Sequence, residues 1–347
     1  MKLNSMIRAL VLAVLASALV YAVMIFFSDG PKVARALSGF RPGVFALMLG
    51  LGALGYALRS LRWGVLMRRA GHPVRPADAV YLHMSGQTMG ISPGRVGEVL
   101  KPWLAREIAG MPMSRGLALV FTERVADLIA VCILSLGGLS ALGSGMWGLA
   151  AALGAIVAGT AVASSPWFHR LALGFLGRQR WAERHHASAT SISETIQTGL
   201  SWRTLAWSVP VSVVAWGLEG VGFALCLREL GFSGLDVFAS VSIYAVATIV
   251  GAFTFLPGGI GITEASMAGI LVATGMAASG ASAATLLTRV ATMWWGVALG
   301  WIALGSRPSL FRRLLGREGA EGEGGDAEGS DAGSGLPRGA TSEDAGA

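Results

Sequence analysis

The sequence predicts an all-α polytopic membrane protein of about seven to eight transmembrane helices, with two short re-entrant or broken segments and an inverted repeat. Three observations lead there. Of 347 residues, 53% are hydrophobic and only 14% charged, and the mean hydropathy is +0.61; a soluble domain carries nearer a quarter charged residues. The charge is also segregated: residues 318–347 hold eight acids against one base, so the body is +14 and the tail −7. Third, a Pro-Gly-x-x-Gly pattern occurs twice, each time before a long helix that carries a mid-helix arginine.

Crossing ~30 Å of hydrocarbon takes about 20 apolar residues. Runs of that kind lie at about 7–27, 43–63, 116–141, 147–164, 204–227, 236–256 and 284–305. Segments near 78–92 and 263–279 are too short or too polar to count as full spans. The first run follows Lys2 and Arg8 and has no convincing small-residue cleavage site, so it reads as a retained signal anchor. Residues 165–200 are expected to form a cytoplasmic amphipathic loop. The tail 318–347 is Gly, Ala, Ser and acid without apolar period, and should be disordered.

Basic residues gather in three groups: Arg59, Arg62, Arg68, Arg69 and Arg75; Arg170, Arg178, Arg180 and Arg184; and Arg307, Arg312, Arg313 and Arg317. Placing all three in the cytoplasm, with both termini, gives a consistent multi-pass path in an inner membrane. Lys32, Arg35 and Arg41 depart from that pattern. The pI near 10.1 could suggest nucleic acid, but the bases lie between apolar runs rather than along one polar face, so none is expected. Cys132 and Cys226 sit inside apolar segments with neither metal-ligand nor disulfide spacing, and no metal or cofactor is expected.

The repeat sets the candidate site. Pro93-Gly94-Arg95-Val96-Gly97-Glu98 matches Pro257-Gly258-Gly259-Ile260-Gly261, which continues to Glu264. Arg124 follows the first proline by 31 residues and Arg289 the second by 32. Two halves, about 40–141 and 204–305, would then run in opposite directions, with Pro93, Gly94, Gly97, Pro257, Gly258, Gly259 and Gly261 as hinges. That layout is common among secondary transporters. Two interfacial loops would give the same pattern. A broken membrane helix is tolerated only where its freed backbone groups are buried in protein or line a wet cavity.

Glu98, Glu123, Arg124, Asp127, Glu219, Glu264 and Arg289 lie in or beside these apolar helices. A charge at mid-membrane costs about 2.5–3.5 kcal/mol on insertion scales, so each needs a partner or a polar cavity. Arg95, Arg124 and Arg289 are candidates for an anionic group such as a lipid phosphate, because the guanidinium fork matches phosphate oxygens. Glu98, Glu123, Asp127 and Glu264 form the accompanying polar cluster. The same charges could equally pair among themselves and pin helices together.

Several pieces jointly resemble a known family. Arg59-x-x-Arg62-Trp63, Ser92-Pro93-Gly94-Arg95-x-Gly97-Glu98 and Glu123-Arg124-x-x-Asp127 form one half; Leu256-Pro257-Gly258-Gly259-Ile260-Gly261-x-x-Glu264 with Arg289 forms the other. Together they are similar to the transmembrane, flippase-like domain of lysylphosphatidylglycerol synthases, over roughly residues 5–310, as a stand-alone member without the cytosolic synthase domain. The resemblance implies one transmembrane domain over 1–310 that handles anionic phospholipids or polyprenyl-linked lipids, and it adds Arg62 to the phosphate-binding candidates. Lys101 stands where the family pattern leads one to expect arginine. With the synthase domain missing, no enzymatic activity is expected. A membrane enzyme acting on lipid head groups, or a non-transporting partner of a lipid- or glycan-modifying enzyme, is the alternative; a homo-oligomer is left open.

Overall fold

A computed structural model describes residues 3–88, 90, 99–136, 165, 192–254, 256–310 and 312–313. The expected span at 147–164, the first hinge at Pro93–Glu98 and the acidic tail lie outside the described residues, as does most of the 165–200 loop. The described residues are helical throughout, in the order α1 (Leu3–Phe27), α2 (Gly30–Ser38), α3 (Pro42–Arg69), α4 (Pro76–Gln87), α5 (Leu100–Ala109) and α6 (Met113–Leu136). A short helix at 192–199 precedes α7 (Trp202–Glu229), α8 (Val237–Phe253), a 3₁₀ turn (Pro257–Gly259), α9 (Ile262–Ala273), α10 (Ala278–Arg289), a π turn (Val290–Trp294) and α11 (Trp295–Ser306).

Three of these are long and apolar enough to cross a membrane: α3, α7 and the continuous Ala278–Ser306 rod. A fourth span arises if α1 and α2, bent by 109° at Ser28–Asp29, are counted together. Proline at N1/N2 opens α3, where the missing N–H costs nothing. At 28 residues each, α3 and α7 are roughly 42 Å long at 1.5 Å per residue. α6 has the length of a span but carries Glu123, Arg124 and Asp127 within about a turn, so its polar flank needs protein rather than lipid. The 263–279 stretch, read from the sequence as too short for a span, is α9 followed by a turn.

Among the described residues the order long helix, two short helices, long helix occurs twice. A shift of 160 residues carries Pro42 to Trp202 and Arg69 to Glu229. Both long helices end alike: Gly71 and Gly231 take positive φ of 84° and 79°, and the next N–H (His72, Phe232) reaches back to the carbonyl of Met67 or Leu227 at 2.9 Å. The packing is reciprocal as well: α4 lies on α11, and α8 lies on α6.

α3 and α7 cross antiparallel. Arg41 pairs with Glu229 at one end, and Arg69 Nη1 reaches Thr204 Oγ1 at 3.2 Å at the other. Between them a Cβ on Gly55 would lie 2.9 Å from the Ala215 carbonyl oxygen, so backbone touches backbone. Membrane helices gain little from the hydrophobic effect against one another, and close contact of small residues replaces it. Two apolar clusters form around equivalent positions of α3 and α7. Trp63, Leu66 and Met67 of α3 pack with Leu82, Leu104 and Met111, while Phe223, Cys226 and Leu227 of α7 pack with Met267, Leu271 and Met276. The charged side chains lie between the two clusters.

Candidate functional site

The first group of charges is built on α3, α5 and α6. Arg62 Nη1 donates to Asp127 Oδ1 at 2.7 Å and Arg62 Nη2 to Glu123 Oε1 at 3.0 Å. Glu123 also takes the Lys101 ammonium, which sits 4.0 Å from the centre of the Trp63 ring. His83 Nδ1 lies 3.4 Å from the same carboxylate without hydrogen-bond geometry. Arg62 is 1% exposed and both its Nη groups are engaged, so its fork is committed within the bundle. Arg59 and Arg62, placed by charge density in a cytoplasmic loop, are instead interior residues of α3. The basic cluster there does not start until Arg68.

The second group forms at the break between α8 and α9. Gly258, Gly259 and Gly261 have φ of 59°, 67° and 90°, a region that a side chain makes costly. The freed backbone groups find side-chain partners. Glu264 Oε2 accepts from the Gly261 N–H at 2.7 Å, and Arg289 Nη2 donates to the Gly258 carbonyl at 2.6 Å. Arg289 Nε also donates to Glu264 Oε1 at 2.6 Å, so this ion pair ties the broken helix to α10. The π turn starts immediately after Arg289 and exposes the Thr292 carbonyl, which accepts from Tyr56 Oη at 3.0 Å. Single π insertions of this kind are frequent at functional sites.

Between these groups lies a third, centred on the crossing of α3 and α7. Arg59 Nη1 donates to Glu219 Oε1 at 2.8 Å, and Tyr244 Oη donates to Glu219 Oε2 at 2.5 Å. The Arg59 guanidinium lies 4.3 Å from the centre of the Trp216 ring and 5.4 Å from that of Tyr56. Its Nε and Nη2 are buried and have no hydrogen-bond acceptor among the described residues.

Arg59 opens onto a cavity of about 140 Å³ between the halves, where it is joined by Arg124, Arg289, Asp127 and Glu219. Of the residues singled out from the sequence, Arg124, Asp127, Glu219, Gly258, Gly259 and Arg289 line this cavity. Glu123 and Glu264 are fully buried and support it from behind. Gly261 shapes the turn, Pro257 opens it, and Arg62 lies outside the lining. Pro93, Gly94, Arg95, Gly97 and Glu98 lie outside the described residues. Glu219 is flagged by the sequence as a charge needing a partner but not as a binding residue; Arg59, Tyr56, Trp216 and Tyr244 are not among the site candidates. The usable signal for Arg59 and Glu219 was their register: they occupy equivalent positions on the two 28-residue helices.

Residues 10–300 match the family described as the lysylphosphatidylglycerol synthase TM region. The chain belongs to that family. Similar members include two UPF0104 membrane proteins of Methanothermobacter thermautotrophicus. One is 26% identical over 327 residues, 85% of this chain and 92% of the relative. The other is 26% identical over 306 residues, 82% and 90% of the two chains. A more local similarity, 25% identity over 159 residues, covers 44% of this chain and 25% of the glycosyltransferase AglD of Haloferax volcanii. The family match spans both halves of the repeat, including α3, the α8–α9 break and Arg289. The family is described as a transmembrane region and the two UPF0104 relatives are named membrane proteins; with its several apolar helices this chain is a multi-pass membrane protein.

Proposed function

We propose that the protein is a lipid translocase, moving an anionic phospholipid or polyprenyl-linked lipid across the inner membrane, with the head group held in the central cavity and the tails left in the bilayer. The observation that carries this reading is Arg59: a buried residue of the wall that Arg124 and Arg289 share, two of whose donor nitrogens have no acceptor among the described residues. A buried donor left unsatisfied costs about 1–3 kcal/mol, so the arrangement calls for an acceptor from outside the chain.

Charge defines the acceptor. Among the described residues three arginines and two carboxylates line the cavity, an excess of cationic side chains in surroundings where solvent screens poorly. A phosphodiester brings one negative charge and planar pairs of oxygens that suit the guanidinium fork. The volume of about 140 Å³ compares with ~30 Å³ per water in the liquid, which suits a phosphate and its nearest substituents but not acyl chains. Arg62 serves this site by fixing α3 to α6. The glycine hinge at 258–261, tied by Arg289, is the element that would open one face and then the other, with both termini in the cytoplasm.

The test is a flip assay in liposomes with labelled phosphatidylglycerol, cardiolipin and a polyprenyl phosphate, comparing wild type with Arg59→Gln and Arg124→Ala. Transport by wild type and its loss in both folded variants is the expected result. Equal transport by all three at matched incorporation would end the assignment. The partial similarity to AglD favours a second reading, a membrane partner of a glycan-modifying enzyme. Co-purification of such an enzyme, with no lipid transported, would support that instead.

A further inference from the structure

A second cavity, of about 160 Å³, lies where α3 ends and α7 begins, and shares no lining residue with the central one. Its floor is Leu66 and Leu119, both 2% exposed. Its charged wall is Arg69 from α3 and Arg115 from α6, faced by Glu194 on the short helix at 192–199. That helix is seated firmly on α6: a Cβ on Gly199 would fall 2.2 Å from Thr122 Oγ1, so only glycine allows the contact.

Arg69 is held in a fixed pose. Its Nη1 donates to Thr204 Oγ1 at 3.2 Å, and its guanidinium lies 5.1 Å from the centre of the Trp207 ring. The Thr204 hydroxyl gives its own proton to the Thr198 carbonyl at 2.9 Å, which turns a lone pair toward Arg69. Nε and Nη2 of Arg69 are left with no acceptor among the described residues. Among the described residues, two arginines and one glutamate line this cavity.

The depth is marked by Trp202, 75% exposed at the start of α7, in the manner of aromatic residues at a head-group boundary. Arg68 and Arg203 are neighbours in sequence at the same end of the bundle.

We infer that this cavity is a separate binding site for a phosphate-bearing anion of the class an anionic lipid head group presents, with Arg69 and Arg115 as its ligands. The phosphate engages the free Nε and Nη2 edge of Arg69, while Glu194 disfavours a second negative charge. A lipid bound there reports the composition of the surrounding leaflet to the α3–α7 crossing without itself entering the translocation cavity.

The experiment counts short-chain lipids bound to the detergent-purified full chain by native mass spectrometry. It is run in wild type and in Arg59→Gln, so that the central cavity and this one are separated. Phosphatidylglycerol, phosphatidylcholine and inorganic phosphate are the probes. Phosphatidylglycerol should bind Arg59→Gln with an affinity that falls about tenfold in Arg59→Gln/Arg69→Gln, as expected for loss of one charge-assisted contact. It should tighten in Arg59→Gln/Glu194→Gln, a change that damage to the fold would not produce. Competition by inorganic phosphate at similar concentration would identify a soluble phosphate as the source; its failure to compete identifies the lipid. Equal binding of phosphatidylcholine, or indifference to both Arg69→Gln and Glu194→Gln, would overturn the site.

Discussion

Arg59 and Arg62 lie one turn apart on α3, are both at most 5% exposed, and differ in partners and in role. Arg62→Gln removes the donor to Asp127 at 2.7 Å and the donor to Glu123 at 3.0 Å. Glu123 keeps Lys101, so its charge stays compensated. Asp127 is left with Arg124 at 3.7 Å, whose side chain is 33% exposed, a weak substitute. Breaking a buried pair by removing one partner costs about 3–5 kcal/mol. The retained Lys101–Glu123 contact argues for the lower part of that range, about 3 kcal/mol. The assay is equilibrium unfolding in mixed micelles, followed by tryptophan fluorescence, since Trp63 neighbours Arg62 in the chain. Arg62→Gln/Asp127→Asn should regain a third or more of the loss, because the stranded carboxylate is then neutral. If Arg62→Gln unfolds within about 0.5 kcal/mol of wild type, the reading of Arg62 as a helix pin is wrong and a ligand-binding role returns.

Arg59→Gln leaves buried Glu219 with the Tyr244 hydroxyl as its remaining partner among the described residues and should cost about 3–5 kcal/mol; Arg59→Gln/Glu219→Gln, which removes the stranded charge, should regain much of that and still lose transport in the flip assay. Tyr244→Phe removes a donor from buried Glu219 and should destabilise by about 1–3 kcal/mol in the same unfolding experiment. Gly55→Val forces apart backbones whose Cβ clearance is 2.9 Å; a loss of at least about 1–3 kcal/mol is expected, and wild-type stability would contradict the close crossing. Gly258→Ala, at φ 59°, should cost about 1 kcal/mol in stability and slow transport more than it weakens lipid binding, measured as rate against affinity.

The apolar runs marked α3, α7 and the last rod in the sequence because length and hydrophobicity are local properties. The repeat was visible from Pro257-Gly258 and its earlier counterpart because glycine and proline act on their own backbone. Partnerships were not legible in that way. Glu123 has Arg62, Lys101 and His83 around it, and three separate helices supply them. Charge density groups Arg59 and Arg62 with Arg68 and Arg69 because a count of bases is blind to the depth and helix face each one occupies. Lys101, expected to be an arginine, makes sense in three dimensions: a compact ammonium fits between Glu123 and the Trp63 ring, where a planar fork would need more room. The second cavity left no trace in any one motif, since α3, α6, α7 and the helix at 192–199 each contribute a single edge.

The Arg59–Glu219 pair has a consequence for how such a chain could arise. The shift of 160 residues that superimposes α3 on α7 carries Arg59 onto Glu219, so each stands where the other's twin would stand. Two identical subunits packed antiparallel would set arginine against arginine there, or glutamate against glutamate, and neither is tolerable in a buried site. Opposite charges at equivalent positions are open only to two halves that differ in sequence, as the halves of one chain can. Fusion therefore does more here than hold two copies together: it licenses a neutral centre that no homodimer of either half could build. A chain carrying the exchange Arg59→Glu with Glu219→Arg should assemble, while either half expressed as a self-paired dimer should not.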